Sequence, residues 1–221
     1  MKLKGGSLTV NEIKQLLEAS YNPEAPTELL GYTLDAKLSN LYVKVYFNNG
    51  IKKVVIAHRG TVENSDWANN ATYIASSSAY KLTPRFKEAQ TMVNKTLKKY
   101  KGFWIESIRH SQGGLLSHLL GTKAIDNIQL NPAYKSESLA QNEYIIRSSG
   151  DVVSALTAPT KLTTGLLYPS WTKAHMITIP AKTNNPITEH KIDILDRLDP
   201  NLKIGNGGSF KKRTLNGYTI N

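Results

Sequence analysis

The 221-residue sequence predicts an α/β fold, with a mostly parallel central sheet and helices on both of its faces. Three observations carry that prediction. Strand-like and helix-like stretches alternate through the middle of the chain. "KKVVIAH" at 52–58 has an unbroken apolar centre, as in a strand covered on both faces. The strongest helix pattern, 84–101, lies between that strand and the next candidate, "FWIESI".

Taken in order, "SLTVNEIKQLLEASY" predicts a short helix. Thr9 and Glu12 fit a capping box, and Ile13, Leu16 and Leu17 form its apolar face. "NPEAPTE" reads as a loop. "LYVKVYF" alternates like a half-exposed strand, and Asn48, Asn49 and Gly50 turn it into a hairpin with the next strand. In the 84–101 helix, Thr83 is placed to cap and Pro84 opens the first turn. Phe86, Ala89, Val93, Leu97 and Tyr100 share one face, Lys87, Lys95, Lys98 and Lys99 lie mainly off it, and Gly102 ends it. "GGLLSHLLG" predicts a helix, "IDNIQL" and "EYIIRS" predict strands, 157–189 reads largely as loop, and "KIDILDRL" as a last helix. These divide the chain into one domain over 1–199 and a basic, Gly-containing tail over 200–221.

Composition removes several function classes. There is no cysteine, which excludes disulfides, a thiolate nucleophile and a thiolate metal site. The N-terminus has no apolar core of a signal peptide, and no stretch reaches the ~20 apolar residues that span a bilayer. The expectation is a soluble protein, intracellular or carried in a virion. The formal charge is +11, and 81–101 concentrates it, with seven Lys or Arg against Glu88 alone. Such a field draws anionic surfaces. Neither zinc-finger spacing nor an RNA-binding strand motif is present, so no specific nucleic acid is expected as a partner.

The chemistry centres on "SIRHSQGG" at 107–114, a serine between a strand and a helix. Nucleophilic serine needs a base, an orienting acid and an oxyanion site. In α/β hydrolases these come in the order Ser, Asp, His, with the serine on a strand–helix elbow. Ser111 sits at such an elbow, and Gln112 supplies the following N–H. Asp151 follows the strand "EYIIRS". Only His175 and His190 come later; His58, His110 and His118 precede Asp151. His110 adjoins the serine, but neighbours on a strand point apart.

Several separated segments together resemble the class 3 (fungal-type) lipases, a family of α/β hydrolases. "VVIAHRGT" at 54–61 is similar to the family's strand and oxyanion turn, followed by "DW" at 66–67. "HSQGG" resembles the end of its G-H-S-x-G-G elbow, "IDNIQLNPA" the next strand, and "YIIRSSGDVVS" its acid segment. "EHKIDIL" weakly resembles the start of its His-containing helix. Order and spacing agree over roughly 28–197. The resemblance implies the α/β-hydrolase fold, with Ser111 as nucleophile, Asp151 as acid and His190 as base. His190 is preferred to His175 because it opens a predicted helix near the domain's end. Thr61 and Gln112 would form the oxyanion hole, Arg59 would be structural, and Asp66 and Trp67 would anchor the oxyanion loop. The implied activity is hydrolysis of lipid esters, with no metal or cofactor; the basic face of the 84–101 helix adds the expectation of peripheral contact with anionic membrane. The competing reading is a catalytically impaired relative that binds membranes or nucleic acid through its basic face.

Arg109 departs from that pattern. The family carries glycine two residues before the serine, because the elbow brings the flanking residues almost into contact. The sequence thus allows either a strained, working elbow or a displaced one. "LKGGS" at 3–7 and "GNGGS" at 205–209 also resemble Gly-Gly-X processing sites of viral proteases, beside their plainer reading as flexible linkers.

Overall fold

A computed structural model describes residues 6–60, 81–111, 126–132, 143–151, 175–205, 213–215 and 218–220. Its centre is built by five neighbouring parallel strands, β5 (Lys53–His58), β6 (Trp104–His110), β7 (Asp126–Leu130), β8 (Glu143–Ser148) and β9 (His175–Ile179). One flank continues antiparallel through β4 (Val43–Asn48), β3 (Tyr32–Leu34) and β2 (Glu28–Leu29). The other continues antiparallel through β12 (Tyr218–Ile220) and β11 (Arg213–Leu215). A parallel centre with helices on both faces is the α/β-hydrolase arrangement the sequence predicts.

The two faces follow from strand periodicity. On β5, Val55 and Ala57 point to one face and Val54 and Ile56 to the other. The first face is covered by α1 (Val10–Tyr21), whose Ile13, Leu16 and Leu17 are fully buried. Each such burial stabilises by about 1.5–3 kcal/mol. Thr9 caps α1 in the full capping box: its hydroxyl accepts from the Glu12 N–H at 3.1 Å, and the Glu12 carboxylate accepts from the Thr9 N–H at 2.7 Å. The second face is covered by α2 (Pro84–Lys99), which presents Phe86, Ala89 and Val93. Thr83 caps it, Pro84 opens it, and Gly102, at φ 89°, lies in the turn beyond it.

Four sequence expectations change. Strand β4 is not half exposed: Val43 and Val45 pack under α2 and Tyr46 under α1. Its one charged residue, Lys44, is buried too, with Nζ donating to the Asn40 carbonyl at 2.9 Å. "KIDILDRL" forms a 3-10 turn at Ile192–Arg197, not an α-helix; Ile194 and Leu195 pack under α1's side of the sheet. The 157–189 stretch contains β9 and a four-residue helix, α3 (Pro186–Glu189). Finally, 200–221 contributes strands where a tail was expected. Lys203–Ile204, strand β10, pairs antiparallel with β1 (Leu8–Thr9), and Ile204 is fully buried among α1's partners. One apolar residue, anchored by backbone bonds such as Val10 N–H to Leu202 O at 3.0 Å, outweighs the polar composition around it.

Candidate active site

The carboxyl ends of β5, β6 and β8 converge with the loop after α3. Strand β5 leaves through Gly60. A Cβ there would lie 2.3 Å from the Tyr21 hydroxyl, 2.9 Å from the His110 carbonyl and 3.2 Å from Ser111 Cβ, so only glycine fits. Strand β6 leaves through Ser111, whose φ is +55°. That region is rare for a non-glycine residue and is typically worth ~1–3 kcal/mol of strain. The Ser111 N–H still reaches the Leu130 carbonyl at 3.0 Å, so β7 holds the strained residue in place.

Strand β8 leaves through Ser149 and Gly150 to Asp151, which is buried. A Cβ on Gly150 would lie 2.8 Å from Ala181 Cβ, so this crossing also needs glycine. Helix α3 begins at Asn185, whose side chain accepts from the Ile187 N–H at 2.9 Å, with Pro186 next. It ends at His190. The sequence placed His190 at the start of a helix; it caps the end of a short one instead.

Three of the predicted residues meet in one hydrogen-bonded chain. His190 Nδ1 lies 2.9 Å from Asp151 Oδ1, and His190 Nε2 lies 2.8 Å from Ser111 Oγ. A carboxylate only accepts, so Nδ1 carries the proton. Nε2 is then free to accept from the serine hydroxyl. The His190 side chain keeps 20% exposure while the Asp151 side chain has none, so the carboxylate is dry and the imidazole reachable.

Glu189, next to His190, fixes the backbone there. Its fully buried carboxylate accepts from Arg197 Nη1 at 2.6 Å and Nη2 at 3.0 Å, from the N–H groups of Lys182 and Thr183, and from the Ser148 hydroxyl. The Arg197 guanidinium, with these other donors, holds this carboxyl far below the usual carboxylate range. Asn131, at φ +43°, donates through Nδ2 to the Glu189 carbonyl at 2.9 Å and accepts the Ser148 N–H at 3.0 Å. It thereby ties β7, β8 and the Glu189–His190 backbone together.

Arg109, like Ile105 and Ser107, faces the α2 side of the sheet, and its side chain runs back along that face, while the positive φ of Ser111 takes the serine out of the strand's alternation. There Nε donates to Ser107 Oγ at 2.9 Å and Nη2 to Asn127 Oδ1 at 3.3 Å. It lines a buried layer with His58, which burial, then the charges of Arg109 and Arg85, push well below the usual histidine range.

The other candidates scatter. His175 opens β9 at the amino end of the sheet, stacked on Tyr144 with ring centroids 4.9 Å apart. That placement removes it as the alternative base. The Arg59 guanidinium lies over the Tyr42 ring at 5.3 Å. Thr61, Gln112, Asp66, Trp67 and His118 lie outside the described residues. Among the described residues, no group of His, Asp and Glu could hold a metal ion. Glu189, Asn131, Arg197 and Tyr21 carry site geometry that the sequence did not announce; the nearest signal was the Asn185–Pro186 cap just before "EH".

A hydroxyl, an imidazole and a buried carboxylate in this order can generate an alkoxide-like nucleophile without a metal. No family model and no curated protein matches the chain. Among solved structures, it is similar to the Lip2 lipase from Yarrowia lipolytica at 11% identity and a TM-score of 0.45, over 69% of this chain and 76% of that one. It is similar to the Rhizomucor miehei lipase propeptide complex at 12% identity and a TM-score of 0.46, over 92% and 84%. It is also similar to the MDLA N225Q mutant from Penicillium cyclopium at 13% identity and a TM-score of 0.45, over 82% and 83%. TM-scores below 0.5 at such identities leave the reading of the site to its own residues.

Proposed function

We propose that this chain is a serine ester hydrolase that cleaves carboxylic esters of lipids through an acyl-enzyme. The observation that carries the reading is the Ser111–His190–Asp151 hydrogen-bonded chain, with the serine held at positive φ where three strands end. Ser111 Oγ attacks the ester carbonyl as its proton passes to His190 Nε2. Asp151 stabilises the imidazolium, which then protonates the leaving alcohol. Water, activated by the same nitrogen, releases the acid. Thr61 and Gln112 are proposed to supply backbone N–H groups to the oxyanion, each such donor being typically worth ~3–4 kcal/mol of barrier. Exposed Lys87, Lys95 and Lys98 on α2 support peripheral contact with anionic lipid, which high salt should abolish in vesicle sedimentation. The direction of Arg109 favours a working elbow over the impaired, binding-only reading.

The test is turnover of p-nitrophenyl esters of graded chain length. Wild type should show a burst or steady hydrolysis that Ser111→Ala reduces by on the order of 10⁶-fold. Equal rates in both proteins would discard the reading.

A further inference from the structure

His110 and Tyr21 take no part in the proton transfers above, yet both are placed at the centre of the site. His110 Nε2 lies 2.7 Å from the His190 carbonyl oxygen, and His110 Nδ1 lies 2.5 Å from the Tyr21 hydroxyl. The Tyr21 hydroxyl in turn accepts from the Gly60 N–H at 3.0 Å. The two ends of this chain are backbone groups whose roles are fixed. A carbonyl can only accept, so His110 Nε2 carries a proton. The neutral ring then accepts at Nδ1, so Tyr21 donates its hydroxyl proton there. Its oxygen is left to receive the Gly60 N–H. Every bond has one possible direction, and it holds only while His110 is neutral.

The groups facing His110 are Tyr21 from α1, the His190 imidazole with its ring centroid 5.1 Å away, and Asp151. Burial, then the charge of His190, push the His110 imidazole down to about 4, so the neutral ring persists through the physiological range. Gly60 is gripped on its other side as well: its carbonyl accepts from Arg85 Nη2 at 3.2 Å, and the Arg59 carbonyl accepts from the same nitrogen at 2.6 Å. Gly60 directly precedes Thr61 in the chain and lies against Ser111 Cβ.

We infer that Tyr21 and His110 are positioning residues of the hydrolase, a one-way relay that locks the turn into Thr61 and the backbone of the base His190 into a single geometry. This rests on the proposed esterase reading for its catalytic consequence, but not for its structure. A residue from the end of α1, 89 positions from His110, thereby links the turn at Gly60 to the backbone of His190.

Nitrogen-15 NMR of the full chain tests the relay directly. His110 should appear as the neutral Nε2–H tautomer from pH 5 to pH 8. In Tyr21→Phe the Gly60 amide proton should move upfield, and the His190 Nδ1 proton should exchange faster. In parallel, ester turnover by Tyr21→Phe should lose about 10-fold or more in kcat with KM within two-fold, because positioning acts on the transition state. His110→Gln, which keeps a donor and an acceptor on one planar group, should retain more kcat than His110→Ala. An Nδ1–H tautomer, or unchanged Gly60 and His190 resonances in Tyr21→Phe, would overturn the relay whatever the activity. If wild type hydrolyses no ester while the resonances behave as expected, the esterase reading fails and the relay stands as architecture. If wild type is active and Tyr21→Phe keeps full kcat, the positioning role is lost.

Discussion

The two ends of strand β6 handle buried polar groups in opposite ways. At the carboxyl end, His110 and Ser111 sit in chains of hydrogen bonds with matched donors and acceptors. At the amino end, Glu106 is fully buried beside Asp126. The Lys53 ammonium is 3.1 Å from Glu106 Oε2, yet neither oxygen accepts a well-formed hydrogen bond. Burial pushes the Glu106 carboxyl up to about 7, against the pull of Lys53. The contrast teaches where geometry is fixed. Satisfied groups with one possible bond direction hold a site to a single arrangement, whereas an imperfectly paired buried acid only costs stability.

The largest effect should come from removing charge at the carboxyl end without changing shape. Asp151→Asn should lower ester kcat by on the order of 10⁴-fold, because the amide favours the wrong His190 tautomer, while the thermal midpoint moves little. Next is the clamp behind the base. Glu189→Ala leaves the largely buried Arg197 guanidinium with no countercharge, and urea unfolding should show a loss of about 3 kcal/mol. Arg109→Gly should cost about 2–3 kcal/mol of stability through lost packing and hydrogen bonds, with ester turnover within a few-fold of wild type. A large gain in turnover would instead show that the arginine distorts the elbow.

The amino end should show its effect only as a dependence on pH. A carboxyl whose pKa is raised by folding binds more protons native than unfolded, so its contribution falls as pH rises from about 4.5 to about 7. The stability of wild type relative to Glu106→Gln should therefore decline across that window, by on the order of 3 kcal/mol in urea titrations. A flat difference would mean that Lys53 neutralises Glu106 fully, and the two ends would then be alike.

Local chemistry made much of this legible in sequence. Thr9–Glu12, Thr83–Pro84 and the Asn-Asn-Gly turn each announce an element within four residues, and the structure forms all of them. The order Ser111, Asp151, His190 pointed to three residues that the fold brings within hydrogen-bond distance. What sequence could not show depends on distant partners. Nothing near Tyr21 or Glu189 marks them as site residues, since their roles come from groups joined only by the sheet. Arg109 looked obstructive because its neighbours suggest crowding; its side chain instead runs back along its own face to Ser107 and Asn127, and the positive φ of Ser111 carries the serine out of the strand. Ile204 escaped notice because one apolar residue in a basic, Gly-rich stretch has no period.

The most direct measurement of the central claim is fluorophosphonate labelling followed by peptide mass spectrometry, on wild type and His190→Ala at pH 7. Wild type should carry one adduct, on the peptide containing Ser111, and His190→Ala should label at least 10³-fold more slowly. An adduct on another residue, or equal labelling of the two proteins, would contradict Ser111 and His190 as a working pair.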